Sequence, residues 1–203
     1  MTVIAIANVG LGNPVSVLNM LDRLGYRAEL RETSEGLAES DRYILPGVGA
    51  FDEGVRRLRE SGWYDHLRDL PPSTHILGIC LGMQLLGESS EEGTLHGLGR
   101  VPAHFERFDV APLRVPHMGW NLVEPVGGDA LFDPELPEWR YYFTHSFHAV
   151  CDDDGSSEIG HTEYGGRFTS AYRSGNTRGV QFHPEKSHRF GMSLLSRWAD
   201  LPC

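Results

Sequence analysis

One cysteine lies between two glycines where an apolar run gives way to a helix-like run. The segment 78–82 reads GICLG, and 83–86 reads MQLL. A cysteine at a sharp strand-to-helix turn is placed to act as a nucleophile, because the N–H groups after it and the helix N-terminus favour a thiolate and a developing oxyanion. We expect the two glycines to let the backbone bend tightly and to clear room for a substrate. A lone cysteine is more often a small core side chain, but this context favours Cys80 as a nucleophile.

A histidine and a glutamate follow another apolar run near the end of the chain. The segment 179–185 reads GVQFHPE, so His183 and Glu185 are two residues apart. The pattern predicts an extended segment, stiffened by Pro184, from which both side chains project to the same side. A cysteine nucleophile needs an imidazole to take and return a proton, and a carboxylate to fix the tautomer of that imidazole. His183 and Glu185 can supply both, although a histidine in such a pair is often an ordinary surface or core residue.

Composition restricts the function further. The 203 residues include 28 acidic and 18 basic ones, a formal net charge of −10, which disfavours nucleic acid and anionic membrane surfaces as partners. Cys80, Cys151 and Cys203 form no CxxC pair, so we predict neither a disulfide framework nor a thiolate zinc site, and we expect a reducing cytoplasm. His145 and His148 form an H-x-x-H pair with no third ligand nearby, so no metal is predicted.

Strands and helices alternate through the first half of the sequence. Apolar runs at 3–7, 43–45 and 76–79 predict buried strands, and the alternation at 26–31 predicts an edge strand. Helical patterns begin at Asn13-Pro14, taken as N-cap and first helical residue, and after residues 51 and 81. This order predicts an α/β fold: a doubly wound, mainly parallel sheet with helices on both faces and the active site at its carboxyl edge.

The second half has a different texture. Glycine and proline are frequent from about 93 to 178, and short runs at 141–143 and 168–172 predict antiparallel strands packed beside the main sheet. The run 179–182 predicts a return to a buried strand, and apolar residues between 190 and 198 predict a closing helix. Without a linker between the halves, we expect residues 1–203 to form a single domain.

Further motifs accompany these two segments in a fixed order along nearly the whole chain. They are LPGVGAF at 45–51, VPHMGWN at 115–121, FTHS at 143–146 and HPEKS at 183–187. GICLGMQ at 78–84 with GVQFHPE at 179–185 resembles the signature of the class I glutamine amidotransferases. The additional motifs are similar, more narrowly, to the glutaminase subunits of imidazole glycerol phosphate synthases. Several motifs in the right order identify a family far more specifically than one cysteine at a strand-to-helix turn does.

The resemblance implies hydrolysis of the glutamine side-chain amide, with no cofactor. Cys80 would attack the amide and His183 would protonate the departing ammonia, while Glu185 orients the histidine. Water would then hydrolyse a glutamyl thioester on Cys80. The oxyanion would be held by backbone N–H groups of Leu81 and of the segment that contains Gly47, Val48 and Gly49. The residues that match the glutamine pocket of the family are Gln84, His145, Ser146 and Phe147.

The resemblance also implies a partner, because the chain shows no second catalytic half that could use the ammonia. The partner would be a cyclase subunit of (β/α)8-barrel type, forming a heterodimer that makes imidazole glycerol phosphate in histidine biosynthesis. The positions that match the interface or gate of this family are Asn13, Trp120, Tyr142 and Lys186.

Some residues depart from the family pattern. Asn8-Val9-Gly10 stands where the family usually has Asp-Tyr-Gly, and Phe147 stands where a tyrosine is common. His188 and Arg189 are similar to residues of paralogues that feed ammonia to enzymes amidating surface-polysaccharide sugars. A glutaminase of that kind is one alternative, and a catalytically silent regulatory subunit is another. The joint presence of cysteine, histidine and glutamate in the two signature segments argues against the silent subunit.

Overall fold

The computed structural model describes residues 3–35, 42–151 and 155–202. Its strands are β1 (Ile4–Ala7), β2 (Ala28–Arg31), β3 (Arg42–Gly47), β4 (His75–Cys80), β5 (Ser89–Ser90), β6 (Ala103–Arg107), β7 (His117–Leu122), β8 (Glu124–Pro125), β9 (Arg140–His145), β10 (Phe147–Cys151), β11 (Glu158–Glu163), β12 (Arg167–Ser174) and β13 (Thr177–Val180). Its helices are α1 (Pro14–Leu24), α2 (Phe51–Glu60), α3 (Trp63–Asp69), α4 (Leu81–Leu86) and α5 (His188–Ala199), with a 3-10 helix at Pro184–Lys186.

The parallel half of the main sheet has the strand order β2-β1-β3-β4-β13. Every residue of β3, β4 and β13 is buried, as expected for parallel strands covered on both faces, whereas β2 at the edge is half-buried. Apolar residues of α1 and α5 pack on one face, and those of α2, α3 and α4 on the other. The predicted α/β fold, with a mainly parallel sheet and helices on both faces, is confirmed.

The antiparallel region is arranged differently from our prediction. We expected it to pack beside the main sheet, but β12 pairs with β13 and the sheet continues through β10 and β6 to β5. A separate two-stranded sheet is formed by β7 and β9. The two predicted runs do form strands, as parts of β9 and β12. β13 supplies the link because it pairs in parallel with β4 on one side and antiparallel with β12 on the other.

Details of the helices also differ from expectation. Asn13 occupies the N-cap position of α1 but makes no capping bond, and its Nδ2 donates to Oγ of Ser16 at 2.9 Å instead. Helix α3 was not predicted, because seven residues are too short for a clear helical period. None of the described helices has the length and apolar composition that crossing a membrane would require.

Strand register brings the signature segments together. In the parallel pairs, Gly47 of β3 lies opposite Cys80 of β4, and Ile79 of β4 lies opposite Val180 of β13. The carboxyl ends of three adjacent strands therefore carry the PGVG, GICLG and GVQFHPE segments to one edge of the sheet. This is the edge at which doubly wound folds bind ligands.

Candidate active site

Cys80 forms the turn between β4 and α4. Its φ of 54° and ψ of −111° lie far from the regions that L-residues favour, and among the described residues His188 is the other non-glycine with positive φ. Such a backbone conformation costs on the order of 1–3 kcal/mol, so the surrounding structure must impose it. The residue is 6% exposed, at the end of a buried strand. The predicted sharp strand-to-helix turn is present.

The two flanking glycines allow close packing. A Cβ on Gly82 would lie 1.7 Å from the carbonyl oxygen of Leu45 on β3, and one on Gly78 would lie 2.6 Å from the carbonyl oxygen of Gly82. We expected these glycines to clear room for a substrate. The space they leave is instead filled by neighbouring backbone, which lets the helix after Cys80 lie directly against the sheet.

His183 and Glu185 form a hydrogen-bonded pair. Nδ1 of His183 lies 2.7 Å from Oε1 of Glu185, and the two side chains are 2% and 10% exposed. We predicted an extended segment, but Pro184 begins a 3-10 helix, and this turn brings the Glu185 carboxylate to Nδ1 of the imidazole. Proline suits the first position of such a turn, because its fixed φ is helical and the turn does not need its N–H.

The charge state of His183 follows from its neighbours. Burial, the largest single influence, lowers its pKa, but Cys80 and Glu185 together outweigh burial and raise the pKa to about 9. Nε2 of His183 is buried and has no hydrogen-bond partner among the described residues. Cys80 is thus close enough to stabilise the imidazolium although the two groups do not form a well-aligned hydrogen bond, which is common in ligand-free active sites.

A cavity of about 290 Å³ opens beside Cys80. This volume is near the lower end of small-molecule sites, about 300–1,000 Å³, and suits a ligand the size of an amino acid. The predicted site residues on its wall are Val48, Gly49, Leu81, Gln84, His145, Ser146 and Phe147. Gly47 lies behind the wall, where a Cβ would be 3.2 Å from Cβ of Leu81. Gly49 has a φ of 118°, a conformation that favours glycine.

Two predicted pocket residues use their polar atoms within the protein. Nδ1 of His145 lies 2.8 Å from the carbonyl oxygen of Phe147, and its Nε2 lies 3.0 Å from Nδ1 of His117. Nε2 of Gln84 donates to Oε1 of Gln181 at 3.2 Å. His145 and Gln84 therefore line the pocket, and these hydrogen bonds hold them against neighbouring segments.

The structure adds residues to the site that the sequence did not single out. Nε2 of Gln181 lies 3.7 Å from Sγ of Cys80, and the carbonyl oxygen of Thr144 lies 3.9 Å from the same sulfur. Glu92 and Pro116 also line the cavity, and Oε2 of Glu92 accepts a hydrogen bond from the N–H of Phe51 at 2.8 Å. Gln181 stood within the quoted GVQFHPE segment and could have been recognised there. Glu92 lies in a loop whose sequence carries no such signal.

The predicted partner-facing residues lie on a surface at the same edge. Trp120, 44% exposed, contacts the ring of Tyr142 edge-on at 6.3 Å, and Nζ of Lys186 lies 5.7 Å from the centre of that ring. The indole of Trp120 also stacks on His188, with ring centres 5.6 Å apart. Asn13 is exposed at the start of α1.

Residues 3–35, 42–151 and 155–202 contain no cluster of side chains suited to bind a metal ion. No group of three or more histidine, cysteine, aspartate or glutamate side chains is placed there to hold an ion. The H-x-x-H pair uses His145 in the hydrogen bonds to Phe147 and His117 described above.

Comparison with known proteins agrees with this geometry. The family model described as "Glutamine amidotransferase class-I" matches residues 9–199. A protein of Methanococcus maripaludis, "Imidazole glycerol phosphate synthase subunit HisH 2", is 43% identical over 198 residues, covering 96% of this chain and 98% of the relative. A protein of Arabidopsis thaliana, "Imidazole glycerol phosphate synthase hisHF, chloroplastic", is 40% identical over 201 residues, covering 97% of this chain and 34% of the relative.

Solved structures support the fold. A "Crystal structure of glutamine amidotransferase" superposes with a TM-score of 0.73 at 22% identity, covering 98% of this chain and 97% of that one. At this identity the likeness concerns the fold alone, whereas the family model and the sequence relatives extend over nearly the entire chain. The chain belongs to the class I glutamine amidotransferase family.

Proposed function

We propose that this chain is the glutaminase subunit of an imidazole glycerol phosphate synthase. It hydrolyses glutamine to glutamate and ammonia, and it passes the ammonia to a cyclase subunit in histidine biosynthesis. The relatives named above support this assignment, since the alignment of this chain with one of them covers 98% of that relative at 43% identity. The observation that carries the chemistry is the buried His183, whose Nδ1 is hydrogen-bonded to Glu185 and whose pKa Cys80 helps to raise, next to a cavity of about 290 Å³ that Cys80 lines.

The thiolate of Cys80 attacks the side-chain carbonyl carbon of glutamine, and the carbonyl oxygen becomes an oxyanion. Backbone N–H groups of Leu81 and of the Gly47–Gly49 segment stabilise this oxyanion, and each such donor is worth about 3 kcal/mol. His183, whose pKa of about 9 keeps it protonated at neutral pH, gives its proton to the leaving nitrogen. Ammonia departs and a glutamyl thioester remains on Cys80.

Water completes the cycle. His183, now neutral, removes a proton from a water molecule as that water attacks the thioester, and glutamate leaves as the thiolate re-forms. Glu185 keeps Nδ1 of His183 engaged throughout, so that Nε2 is the nitrogen that exchanges protons with sulfur, ammonia and water. The cavity wall formed by Gln84, His145, Ser146 and Phe147 holds the amino-acid part of glutamine.

The ammonia needs a protected route, because ammonia released into neutral water is mostly protonated and is not a nucleophile. We propose a (β/α)8-barrel cyclase as partner, docking on the surface that carries Trp120, Tyr142 and Lys186, with Asn13 at its border. Partner binding rearranges the peptides between Gly47 and Gly49 and completes the oxyanion hole. The left-handed φ of Gly49 supports this step, since glycine changes φ with little steric cost.

Glutaminase turnover measured with and without a cyclase subunit tests the proposal. We expect the isolated chain to be nearly inactive and the complex to release glutamate at least tenfold faster. Equal rates would refute activation by the partner. Trapping of Cys80 by a glutamine-like electrophile separates a glutaminase from a silent regulatory subunit, and co-purification of a sugar-amidating synthase in place of a cyclase would assign the ammonia to the other acceptor.

A further inference from the structure

The amide of Gln181 has no part in the mechanism above, yet it lies against the reacting sulfur. Gln181 is fully buried, and its Nε2 is 3.7 Å from Sγ of Cys80. An N–H group at this distance reaches a sulfur acceptor. A buried side-chain amide is costly unless its donors and acceptors are used, so its placement beside the sulfur requires an explanation.

Strand register explains how Gln181 reaches the sulfur. The parallel pairing of β4 with β13 ends at Ile79 opposite Val180; Cys80 is the last residue of β4, and Gln181 directly follows the end of β13. Residues side by side on neighbouring strands project to the same face of a sheet. The N–H of Gln181 donates to the carbonyl oxygen of Ser170 at 2.9 Å, which fixes the backbone at this point.

Gln84 determines which end of the Gln181 amide faces the sulfur. Nε2 of Gln84 donates to Oε1 of Gln181 at 3.2 Å, and both side chains are buried. Because the carbonyl oxygen is engaged, the amide nitrogen points to Cys80. The neutral thiol can donate to the carbonyl oxygen of Thr144 at 3.9 Å, whereas a thiolate can only accept, and the amide nitrogen of Gln181 is the group placed to donate to it.

We propose that Gln181 is a catalytic residue that donates a hydrogen bond to the Cys80 thiolate, and that Gln84 is a positioning residue that orients the Gln181 amide. The donor is neutral, so it stabilises the anion without competing with His183 for the proton. Hydrogen bonds to a charged group are about twice as strong as neutral ones. The proposal rests on the proposed role of Cys80 as nucleophile, and it gives Gln84 a contact with Gln181 in addition to its place in the wall of the glutamine pocket.

Alkylation of Cys80 by iodoacetamide tests this directly, because the thiolate is the reacting form. The rate is measured against pH in a chain carrying Cys151→Ser and Cys203→Ser, so that Cys80 is the remaining thiol. Gln181→Met removes the amide at similar size, and Gln181→Glu keeps an acceptor for Gln84 but replaces the donor. Gln84→Met tests the positioning role, since it removes the orienting bond and leaves the donor, and a curve identical to that of the parent would refute that role.

We expect Gln181→Met to shift the alkylation curve upward by about one pH unit and to slow alkylation about tenfold at neutral pH. Gln181→Glu should shift the curve at least as far, because a carboxylate beside the sulfur opposes the thiolate, and Gln84→Met should give a smaller shift. Superimposable curves for folded Gln181→Met and the parent would overturn the proposal. If Gln181→Met does not unfold cooperatively, Gln181→Leu, which also removes the amide and adds no charge, decides by the same criterion.

The measurement needs neither glutamine nor a partner, so it separates this inference from the proposed function. If the parent chain forms its complex normally but never releases glutamate, the proposed glutaminase function is refuted. A shifted alkylation curve would still support the contact between Gln181 and Cys80. Normal glutamate release by the parent chain, together with an unshifted alkylation curve for the neutral Gln181 variant, would refute the role of Gln181 alone.

Discussion

Gly82 shows how tightly a single position is constrained near the nucleophile. The carbonyl oxygen of Leu45 occupies the space where a side chain would begin, 1.7 Å from an ideal Cβ. That oxygen belongs to a central strand, so neither partner can move without displacing the sheet. The strained φ of Cys80 and the lack of space for a Cβ at Gly82 have the same cause, because β4 ends at Cys80 and α4 begins at the next residue.

Replacement of Gly82 by alanine should therefore be severely destabilising. We expect Gly82→Ala to lower the free energy of unfolding by at least about 3 kcal/mol, the range of overpacked core sites. Gly127→Ala is the control, because its Cβ would meet nothing within 4 Å and its φ of 68° alone should cost about 1–2 kcal/mol. Urea denaturation of both variants checks the difference, and equal losses would contradict the packing explanation.

Replacement of the nucleophile should affect chemistry and leave the fold intact. Cys80→Ser exchanges sulfur for oxygen at similar size, and the buried hydroxyl has the carbonyl oxygen of Thr144 as an acceptor, so stability should change by only about 1 kcal/mol. Glutamine hydrolysis should fall by about 10⁴-fold or more, since a serine hydroxyl is not ionised beside His183. Glutamate release by the complex and thermal unfolding are the two measurements. A variant with normal turnover would rule out the thioester route.

At the scale of elements, local patterns predicted more than long-range order did. The buried strands and the helices α1 and α5 follow from apolar periodicity and flanking glycine or proline. The position of β13 beside β4 does not follow, because about 100 residues separate them and periodicity carries no information on strand order. That neighbourhood brings His183 and Gln181 to Cys80, and at the sequence level only the family resemblance indicated it.

The 3-10 helix at Pro184 illustrates a second limit of sequence patterns. Proline is compatible with both an extended segment and a helical first turn, so the HPE segment alone does not decide between them. The tertiary contact decides: a Cβ on Gly191 of α5 would lie 1.8 Å from the carbonyl oxygen of Pro184, so the turn packs directly on the C-terminal helix. The separate sheet of β7 and β9 was missed for the related reason that strand pairing is non-local.

The buried histidines that join β7 to β9 should make the protein sensitive to acid. Burial lowers the pKa of His117 to about 4, and the amide nitrogen of Asn121 donates to Nε2 of this ring, which requires that nitrogen to be unprotonated. Burial also lowers the pKa of His145 to about 3, outweighing the hydrogen bond to the Phe147 carbonyl oxygen, which raises it. Both values lie below the unfolded value of about 6.5, so the unfolded chain binds more protons in acid. The stability that this pair contributes is complete above about pH 6.5 and falls as the pH drops toward 4.

Urea denaturation at several pH values tests this sign. We expect the free energy of unfolding to fall between pH 6.5 and 4.5 with a slope of at least about two protons, because burial also lowers the pKa of His66 and of His148. His117→Gln should reduce the slope by about one proton. His96→Gln, at an exposed loop position, is the control. Stability that is constant over this range, or the same slope in His117→Gln and the parent, would contradict a neutral histidine pair.

At the scale of the whole molecule, the active edge of the sheet continues into an apolar surface. Alternate residues of β7 project outward from the small sheet, and Met118, Trp120 and Leu122 are 63%, 44% and 44% exposed. Large apolar side chains in a row are uncommon on a free surface and are typical of binding sites. Tyr142, next to this row, forms a β-bridge with His183, and Lys186, close to the ring of Tyr142, follows Glu185 in the chain. A partner bound to this row would therefore contact the proposed catalytic segment.

Truncation of Trp120 should therefore weaken the complex without weakening the chain. Buried tryptophans at interfaces commonly contribute 2 kcal/mol or more, so Trp120→Ala should raise the dissociation constant for the cyclase subunit about thirtyfold or more. Arg27→Ala, just before the edge strand β2 and with a side chain 67% exposed, is the control and should leave binding unchanged. Titration calorimetry measures both, and thermal unfolding shows whether the chain itself is intact. Unchanged affinity in Trp120→Ala would place the cyclase on another face, and the rearrangement of Gly47–Gly49 would then need a different route from partner to pocket.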